Sequence, residues 1–194
     1  MQTRVVGLMG RKRSGKDTVG QFLVEDHGFQ RLAFADILKE VALEIDPWID
    51  WSSGWDPMID RLSSIVQIEG WDKAKEDHPE VRRFLQELGL AVRHQDPDFW
   101  VRPIMDKLVP GGSYVITDVR FPNEFRAVAG SFPNHPFVPV VLARVVRPGL
   151  DESDRHESET ALDNYVPNWI IRNEGDLAEL RGSVTQMIQS IHGA

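Results

Sequence analysis

The chain predicts an α/β fold, an open and mostly parallel sheet of five strands with helices on both faces. Three observations carry that expectation. Strand-like and helix-like stretches alternate from one end to the other, which prescribes a parallel sheet wound with helices. The first strand runs directly into Gly10-x-x-x-x-Gly15-Lys16, a turn that opens an apolar-periodic helix. The run Ser113 to Asp118 is short, apolar and closed by an acid, as a buried parallel strand is when its carboxyl end faces a ligand crevice. With 194 residues, 41% hydrophobic and 27% charged, the expected organisation is one domain spanning 1–194 with an inserted segment.

Taken in order, Val5 to Met9 is the first strand. Residues 16 to 27 form a helix with Val19, Phe22, Leu23 and Val24 on its packing face, and His27-Gly28 ends it. Phe29 to Phe34 alternates as the second strand. Asp36 N-caps a helix through about Ile45, whose Ile37, Leu38, Val41, Ala42 and Ile45 recur at helical spacing and leave Lys39 beside the strand end. Pro47 stops it.

Residues 46 to 79 are the inserted segment. Trp48, Trp51, Trp55 and Trp71 sit there among acidic and turn residues, which predicts irregular or short-helical structure. Those tryptophans supply either the small core of the insertion or a contact with a second copy of the chain, giving a homodimer. Pro79 to His94 then returns to a clear helix with Val81, Phe84, Leu85, Leu88 and Val92 on one face and Arg82, Arg83, Gln86 and Gly89 on others.

A further helix is expected from Asp96-Pro97-Asp98-Phe99-Trp100 to about Leu108, with Gly111-Gly112 ending that unit. Ser113 to Asp118 is the third strand, and Glu124 to Ala129 starts a helix. Phe137 to Val146 is a β-branched fourth strand, broken by Arg147-Pro148-Gly149. The charged loop Leu150 to Asp163 follows. Asn168 to Asn173 is the fifth strand. Asp176 with Glu179 begins a final amphipathic helix through Leu177, Leu180, Val184, Met187, Ile188 and Ile191.

Composition removes several classes of function. A formal net charge of −8 argues against a large nucleic-acid face, because such a surface needs cations against the phosphates. No apolar run approaches the ~20 residues that span a bilayer, and Met1-Gln2-Thr3-Arg4 passes at once into the first strand, leaving no room for a signal peptide. A cytoplasmic chain without a membrane partner is expected. The absence of cysteine excludes disulfides, thiolate zinc sites and cysteine nucleophiles, so the metal to expect is a hard, oxygen-bound ion such as Mg2+. Cations clustered in an acidic chain point to small, highly charged ligands.

Gly10 to Thr18 has the chemistry of a phosphate cradle. Backbone N–H groups of the turn face inward, the following helix presents its positive end, and Lys16 reaches the outer phosphates of a nucleoside triphosphate. Arg11, Lys12, Arg13 and Lys16 put four cations in one turn, with Ser14 among them. Asp17 stands where a Ser or Thr usually follows the lysine. A carboxylate beside phosphates needs a neutralising cation, so Mg2+ or its water shell is expected near Asp17 and Thr18, with either residue the contact.

Phosphoryl transfer also needs cations for the acceptor and something mobile to exclude water. Arg82 and Arg83, with Lys39 and Arg120, can converge on a monophosphate through the planar fork of arginine. Adjacent arginines also make a plain solvated helix face; the position of Arg120 just past a central strand weighs for the ligand. The mobile part is expected over 147–163, with Arg147 and Arg155 reaching across the transferring group. His156, Glu157 and Glu159 lack a partner cluster for a transition metal and read as loop charge or helix-start acids.

Gly10-Arg11-Lys12-Arg13-Ser14-Gly15-Lys16-Asp17-Thr18, Arg82-Arg83-Phe84-Leu85-Gln86-Glu87-Leu88-Gly89, Asp98-Phe99-Trp100-Val101, Asp118-Val119-Arg120 with Glu124, Val145-Val146-Arg147-Pro148-Gly149 and Ile171-Arg172-Asn173 together resemble the bacteriophage deoxynucleoside monophosphate kinases, in the same order along the chain. An acid at Asp17 belongs to that family's pattern. The resemblance implies a nucleoside-monophosphate-kinase fold with strand order 2-3-1-4-5, a helical substrate-binding insert and a lid. It implies transfer of the γ-phosphoryl of ATP to a 2′-deoxynucleoside 5′-monophosphate, for DNA precursor synthesis, in the host cytoplasm if the chain is phage-encoded. Lys39, Arg82, Arg83, Gly89, Trp100, Asp118, Arg120 and Glu124 would line the deoxynucleotide pocket, with Trp100 against the base, and Asn173 would border the adenine of ATP. Lys16, Arg13, Mg2+, Arg147 and Arg155 would stabilise the transferring charge without a covalent intermediate.

The nearest alternative is another small-molecule P-loop kinase, of the phosphomevalonate or dephospho-coenzyme A type. A nucleotide-switched binding module would need a water-positioning residue and a guanine-reading motif, neither of which stands in the sequence. A polynucleotide 5′-kinase would need a strand-tracking cationic groove at odds with the acidic balance.

Overall fold

The computed structural model describes residues 3–50, 58–131, 140–150, 153 and 155–192. The chain divides into two compact units, one of residues 1–34 with 101–194 and one of residues 35–100. The second has wider bounds than the 46–79 insertion expected from sequence.

The first unit is built on a parallel sheet. Its strands are β1 (Arg4–Met9), β2 (Gln30–Leu32), β5 (Ser113–Ile116), β6 (Val140–Val146) and β7 (Trp169–Arg172), arranged β2-β5-β1-β6-β7. The numbers differ from the expected ones only because β3 (Trp48–Asp50) and β4 (Ile59–Arg61) form a separate antiparallel hairpin; the sheet strands counted alone run 2-3-1-4-5. β1 is central because it is apolar on both faces. Val6 pairs in register with Val115 on one side and Val141 on the other, and Val5, Val6, Leu8 and Met9 are all buried.

One face of this sheet is covered by α1 (Lys16–His27) and α8 (Leu177–His192), whose Val19, Phe22, Leu23, Val184, Met187 and Ile188 pack on Val6, Leu8, Val115 and Val145. Truncating Leu8 here would cost about 2–5 kcal/mol by the usual cavity penalty. On the opposite face Gly7 lets Val128 and Val119 approach, since a β-carbon there would meet their methyls at 2.9 and 3.2 Å. Val128 lies in the π-helical continuation (Ala127–Ser131) of α6 (Pro122–Arg126). The expected helix start at 124–129 falls on these two pieces. Asp176 caps α8 through the N–H groups of Ala178 and Glu179 at 2.8 and 2.9 Å.

The second unit holds α2 (Phe34–Ile45) beyond its first residue, the β3–β4 hairpin, α3 (Leu62–Asp77) and α4 (Pro79–Gln95). Ala42, Ile49, Leu62, Ile65, Ala74, Val81 and Leu85 make its core, with Trp71 packed against it.

Several expectations are corrected. Val24 is exposed rather than part of the packing face of α1. Asp36 falls in the first turn of α2, which already starts at Phe34, so it is not the N-cap. The described residues of the 48–79 segment form the hairpin and α3, whose two short helical stretches meet at Gly70, with a φ of 74° and ψ of 163° that are not helical; the short-helical expectation holds there, and the hairpin was not expected. The helix expected from Asp96 to Leu108 shrinks to turns and α5 (Arg102–Met105), with Pro103 in its first turn. Trp48 is exposed beneath Arg61, 4.3 Å from the ring centre, not buried in a tryptophan core. Trp51, Trp55, residues 137–139 of the fourth strand, residues 151, 152 and 154 of the charged loop and the side chain of Ile191 lie outside the described residues. Among the described residues no helix is long and apolar enough to cross a membrane.

Candidate active site

Beyond the carboxyl end of β1 the chain turns through Gly10 to Gly15 before entering α1. Two of its bends need glycine. Gly10 has φ 142° and a β-carbon there would lie 2.4 Å from the Val145 carbonyl oxygen; Gly15 has φ 104° and would meet the Asn173 side-chain amide at 2.5 Å. Arg13 also adopts a positive φ, 63°. Ser14 N–H donates to the Arg11 carbonyl oxygen at 3.2 Å, closing the turn. Asn173, at the end of β7, donates its Nδ2 to the Ser14 carbonyl oxygen at 2.9 Å. The residue expected beside adenine thus also braces the phosphate loop.

Lys16 is buried, and its Nζ donates to the carbonyl oxygens of Gly10 and Arg11, both at 2.8 Å. Burial, and next the Arg120 charge, push its pKa down to about 8, against the opposing pull of Glu159, Asp17 and Asp118. Its ammonium therefore sits in a poorly solvated place where an added anion is favoured. Ser14 is 1% exposed, and its Oγ has no hydrogen-bond partner among the described residues. A buried hydroxyl left unsatisfied in a phosphate loop is a donor suited to an anion.

Beside the loop lies a cavity of about 250 Å³, lined by Gly10, Arg11, Ser14, Val119, Arg120, Arg144, Arg147, Glu159 and Asp163 among others. Arginines outnumber acids in this lining, which suits a polyanion. Arg11 donates to the Glu159 carbonyl oxygen at 2.7 Å and to Asp163 Oδ2 at 2.8 Å. Lys12 N–H donates to Glu159 Oε2 at 2.8 Å, and Glu159 Oε1 is paired with Arg120. Glu159 belongs to α7 (Glu157–Thr160), within the segment expected to be the lid.

Arg120 is positioned by its neighbour four residues on. Glu124 is 2% exposed and its Oε2 accepts the backbone N–H groups of Arg120 and Phe121 at 2.7 and 2.9 Å, which caps α6 and fixes the preceding turn. Asp118 accepts the Phe34 N–H at 2.9 Å and lies close enough to Lys16 to act on its charge. Asp17 is exposed and Thr18 half-buried at the start of α1. Mg2+ bound through nucleotide phosphates takes one or two protein oxygens and several waters, and the Asp17 carboxylate with the Thr18 hydroxyl is a hard donor set of that kind. Arg147 is exposed on the cavity rim; Arg13, Lys12 and Arg155 are also exposed, and the side chains of Arg13 and Arg155 are not part of the cavity lining.

In the second unit, Trp100 is 2% exposed and donates its Nε1–H to the Gly89 carbonyl oxygen at 3.1 Å, so two residues assigned to one pocket meet directly. Arg82 Nη2 donates to the Lys75 carbonyl oxygen at 3.3 Å. Arg83 is exposed and pairs with Glu80 and Glu87 along its own helix. Lys39 pairs with Asp36 at 3.7 Å and lies over the Trp71 ring at 5.8 Å.

Glu159, Asp163 and Arg144 take parts in the site that the sequence did not assign. Arg144 in β6 donates to the Leu162 and Tyr165 carbonyl oxygens at 2.6 and 2.8 Å, and its pKa is lowered by burial and by the Arg11 charge. A cation inside an otherwise apolar strand was the available signal.

Residues 51–184 match the family model described as deoxynucleotide monophosphate kinase. A protein of Acanthamoeba polyphaga mimivirus, provisionally named a deoxynucleotide monophosphate kinase, is 30% identical over 81% of this chain and 81% of its own. The deoxynucleotide monophosphate kinase of Enterobacteria phage T4 is 30% identical over 59% of this chain and 47% of its own. A protein of Ictalurid herpesvirus 1 (strain Auburn), named only as uncharacterised, is 37% identical over 58% of this chain and 50% of its own. The matched chain thus spans about half the length of the herpesvirus and phage relatives. Among solved structures, a dephospho-CoA kinase from Campylobacter jejuni covers 97% of each chain with a TM-score of 0.42 and 15% identity.

Proposed function

Because the chain belongs to the deoxynucleotide monophosphate kinase family, we propose that it transfers the γ-phosphoryl of ATP to a 2′-deoxynucleoside 5′-monophosphate. An oxygen of the acceptor phosphate forms the new bond to the γ-phosphorus, and the bridge to the β-phosphate breaks, leaving ADP and the deoxynucleoside diphosphate. The observation that carries this reading is Lys16: buried at the phosphate loop, its ammonium held by the Gly10 and Arg11 carbonyl oxygens, and set beside a cavity rich in arginine.

The roles proposed follow from chemistry. Gly10 to Thr18 cradle the donor triphosphate, Lys16 and Arg13 balance charge as it moves toward the bridging oxygen, and Asn173 keeps the loop in shape near the adenine. Arg120, held by Glu124, and Arg147 supply cations to the transferring group, with Arg155 a further lid cation. Acceptor recognition is proposed for Asp118, Arg120 and Glu124 in the sheet unit and for Lys39, Arg82, Arg83, Gly89 and Trp100 in the helical unit. Mg2+ held by Asp17 or Thr18, directly or through water, would neutralise phosphate charge. No group forms a bond to the phosphorus; positioning and electrostatics lower the barrier. Identifying the products of the full chain with ATP, Mg2+ and each deoxynucleoside monophosphate tests the reading, with formation of a diphosphate expected.

A further inference from the structure

Glu159 reaches the backbone of the phosphate loop itself, where Asp163 meets only the Arg11 side chain. Its side chain is 7% exposed. Oε2 accepts the backbone N–H of Lys12 at 2.8 Å, and Oε1 takes Arg120. The two donors stand 147 and 39 positions away in sequence, so the tertiary fold, not local chain geometry, brings them to one carboxylate. Both are of the type that holds phosphate oxygens: a backbone N–H of a glycine-bounded loop and a guanidinium. The Glu159 charge also acts on Lys16, where it heads the influences that favour the ammonium. A carboxylate with one oxygen on each donor presents to them what two oxygens of a phosphoryl group would.

We propose that Glu159 is the resident anion of the phosphate site, occupying the Lys12 N–H and Arg120 until a phosphate group of a nucleotide takes both donors and displaces it. The proposal rests on the phosphate-binding reading of the loop given above. Its consequence is a self-competition: the affinity for polyphosphate is reduced by the fraction of molecules in which the carboxylate holds the site. The contact also occupies Arg120 in the absence of nucleotide, so the cation becomes available for transfer only after a phosphate has arrived.

Titration calorimetry of inorganic tripolyphosphate into the full chain in metal-free buffer tests this. Glu159→Gln keeps the shape and removes the charge, and its Kd is expected to tighten about tenfold. Glu159→Asp keeps the charge but withdraws the carboxylate by one methylene, so that it no longer spans both donors; a tightening of about threefold or more is expected. Both variants tighter than wild type support the proposal. Glu159→Gln tighter with Glu159→Asp unchanged overturns it, because the effect is then net charge alone. Wild type and both variants binding equally overturns it while leaving the phosphate-binding reading intact. If none of the three proteins binds tripolyphosphate or ATP, that reading fails and this proposal with it.

Discussion

Asn173 joins the end of the last sheet strand to the centre of the phosphate loop, its Nδ2 donating to the Ser14 carbonyl oxygen at 2.9 Å across 159 positions of chain. The same amide occupies the space that a β-carbon on Gly15 would need, 2.5 Å away. Loop path and asparagine are therefore fitted to each other. The bond leaves the buried Ser14 hydroxyl without a hydrogen-bond partner among the described residues, where a phosphate can use it.

Asn173→Ala removes that brace without touching the cations. The expected result is a loss of about 1 kcal/mol in stability and a rise of several-fold in KM for ATP, with the acceptor KM little changed. Thermal unfolding and steady-state kinetics on the two substrates measure both. An unchanged ATP KM would mean that the loop holds its shape alone.

Gly15→Ala is expected to lower stability by about 1–3 kcal/mol, because it combines a φ of 104° with the approach to Asn173. The double variant Gly15→Ala/Asn173→Ala separates the two causes. It should recover the steric part of the loss and keep the backbone part, a coupling that a double-mutant cycle in thermal unfolding reads directly. Strict additivity would show that the asparagine does not crowd the site.

The loop was legible from sequence because its chemistry is local: glycine at two forced bends, lysine beside the second, a strand before and a helix after. The alternation of strands and helices was legible for the same reason, and the sheet order followed from the family resemblance. What escaped was made by distance in sequence. Glu159 looks like loop charge until the fold carries it to Lys12 N–H and Arg120. Arg144 hides in a β-branched strand and acquires meaning only when Leu162 and Tyr165 return to it. Glu124, expected in a substrate pocket, also holds the turn at Arg120 and Phe121 with its buried carboxylate, a bond that its place in the sequence does not announce. The bounds of α3 escaped, though short helices were expected there, because Gly70 breaks its path and its buried positions, Leu62, Ile65 and Ala74, do not continue through the break at helical spacing.

The depressed Lys16 pKa gives ATP binding a pH dependence. In the free protein the ammonium is lost as pH rises through about 8. Bound phosphate favours the cation, so binding above that pH must take up a proton, and affinity falls. Between about pH 8 and pH 9.5 the Kd for tripolyphosphate should weaken about tenfold, and Lys16→Met should flatten the profile. Stability of the free protein runs the other way: the unfolded lysine, at 10.5, binds more protons than the folded one at about 8, so the Lys16 contribution to stability rises with pH across that window. Calorimetry across pH, with unfolding of both proteins, checks the two signs; a flat wild-type binding profile contradicts the assignment.

Arg120→Ala should raise the acceptor KM about tenfold or more and the ATP KM as well by a smaller factor, because the donor phosphate that displaces Glu159 takes the same guanidinium. Since the Arg120 charge helps depress the Lys16 pKa, the alkaline break in ATP binding should also move upward in this variant. A raised ATP KM with the acceptor KM unchanged would place Arg120 at the donor phosphates alone.

The most direct measurement of the central claim is a screen of all common deoxy- and ribonucleoside monophosphates with ATP and Mg2+, followed by ADP release and by identification of the second product. At least one deoxynucleoside monophosphate should yield its diphosphate in step with ADP, and Lys16→Ala should abolish both products. ADP release that is independent of every acceptor, or no release with any of them, would contradict the account.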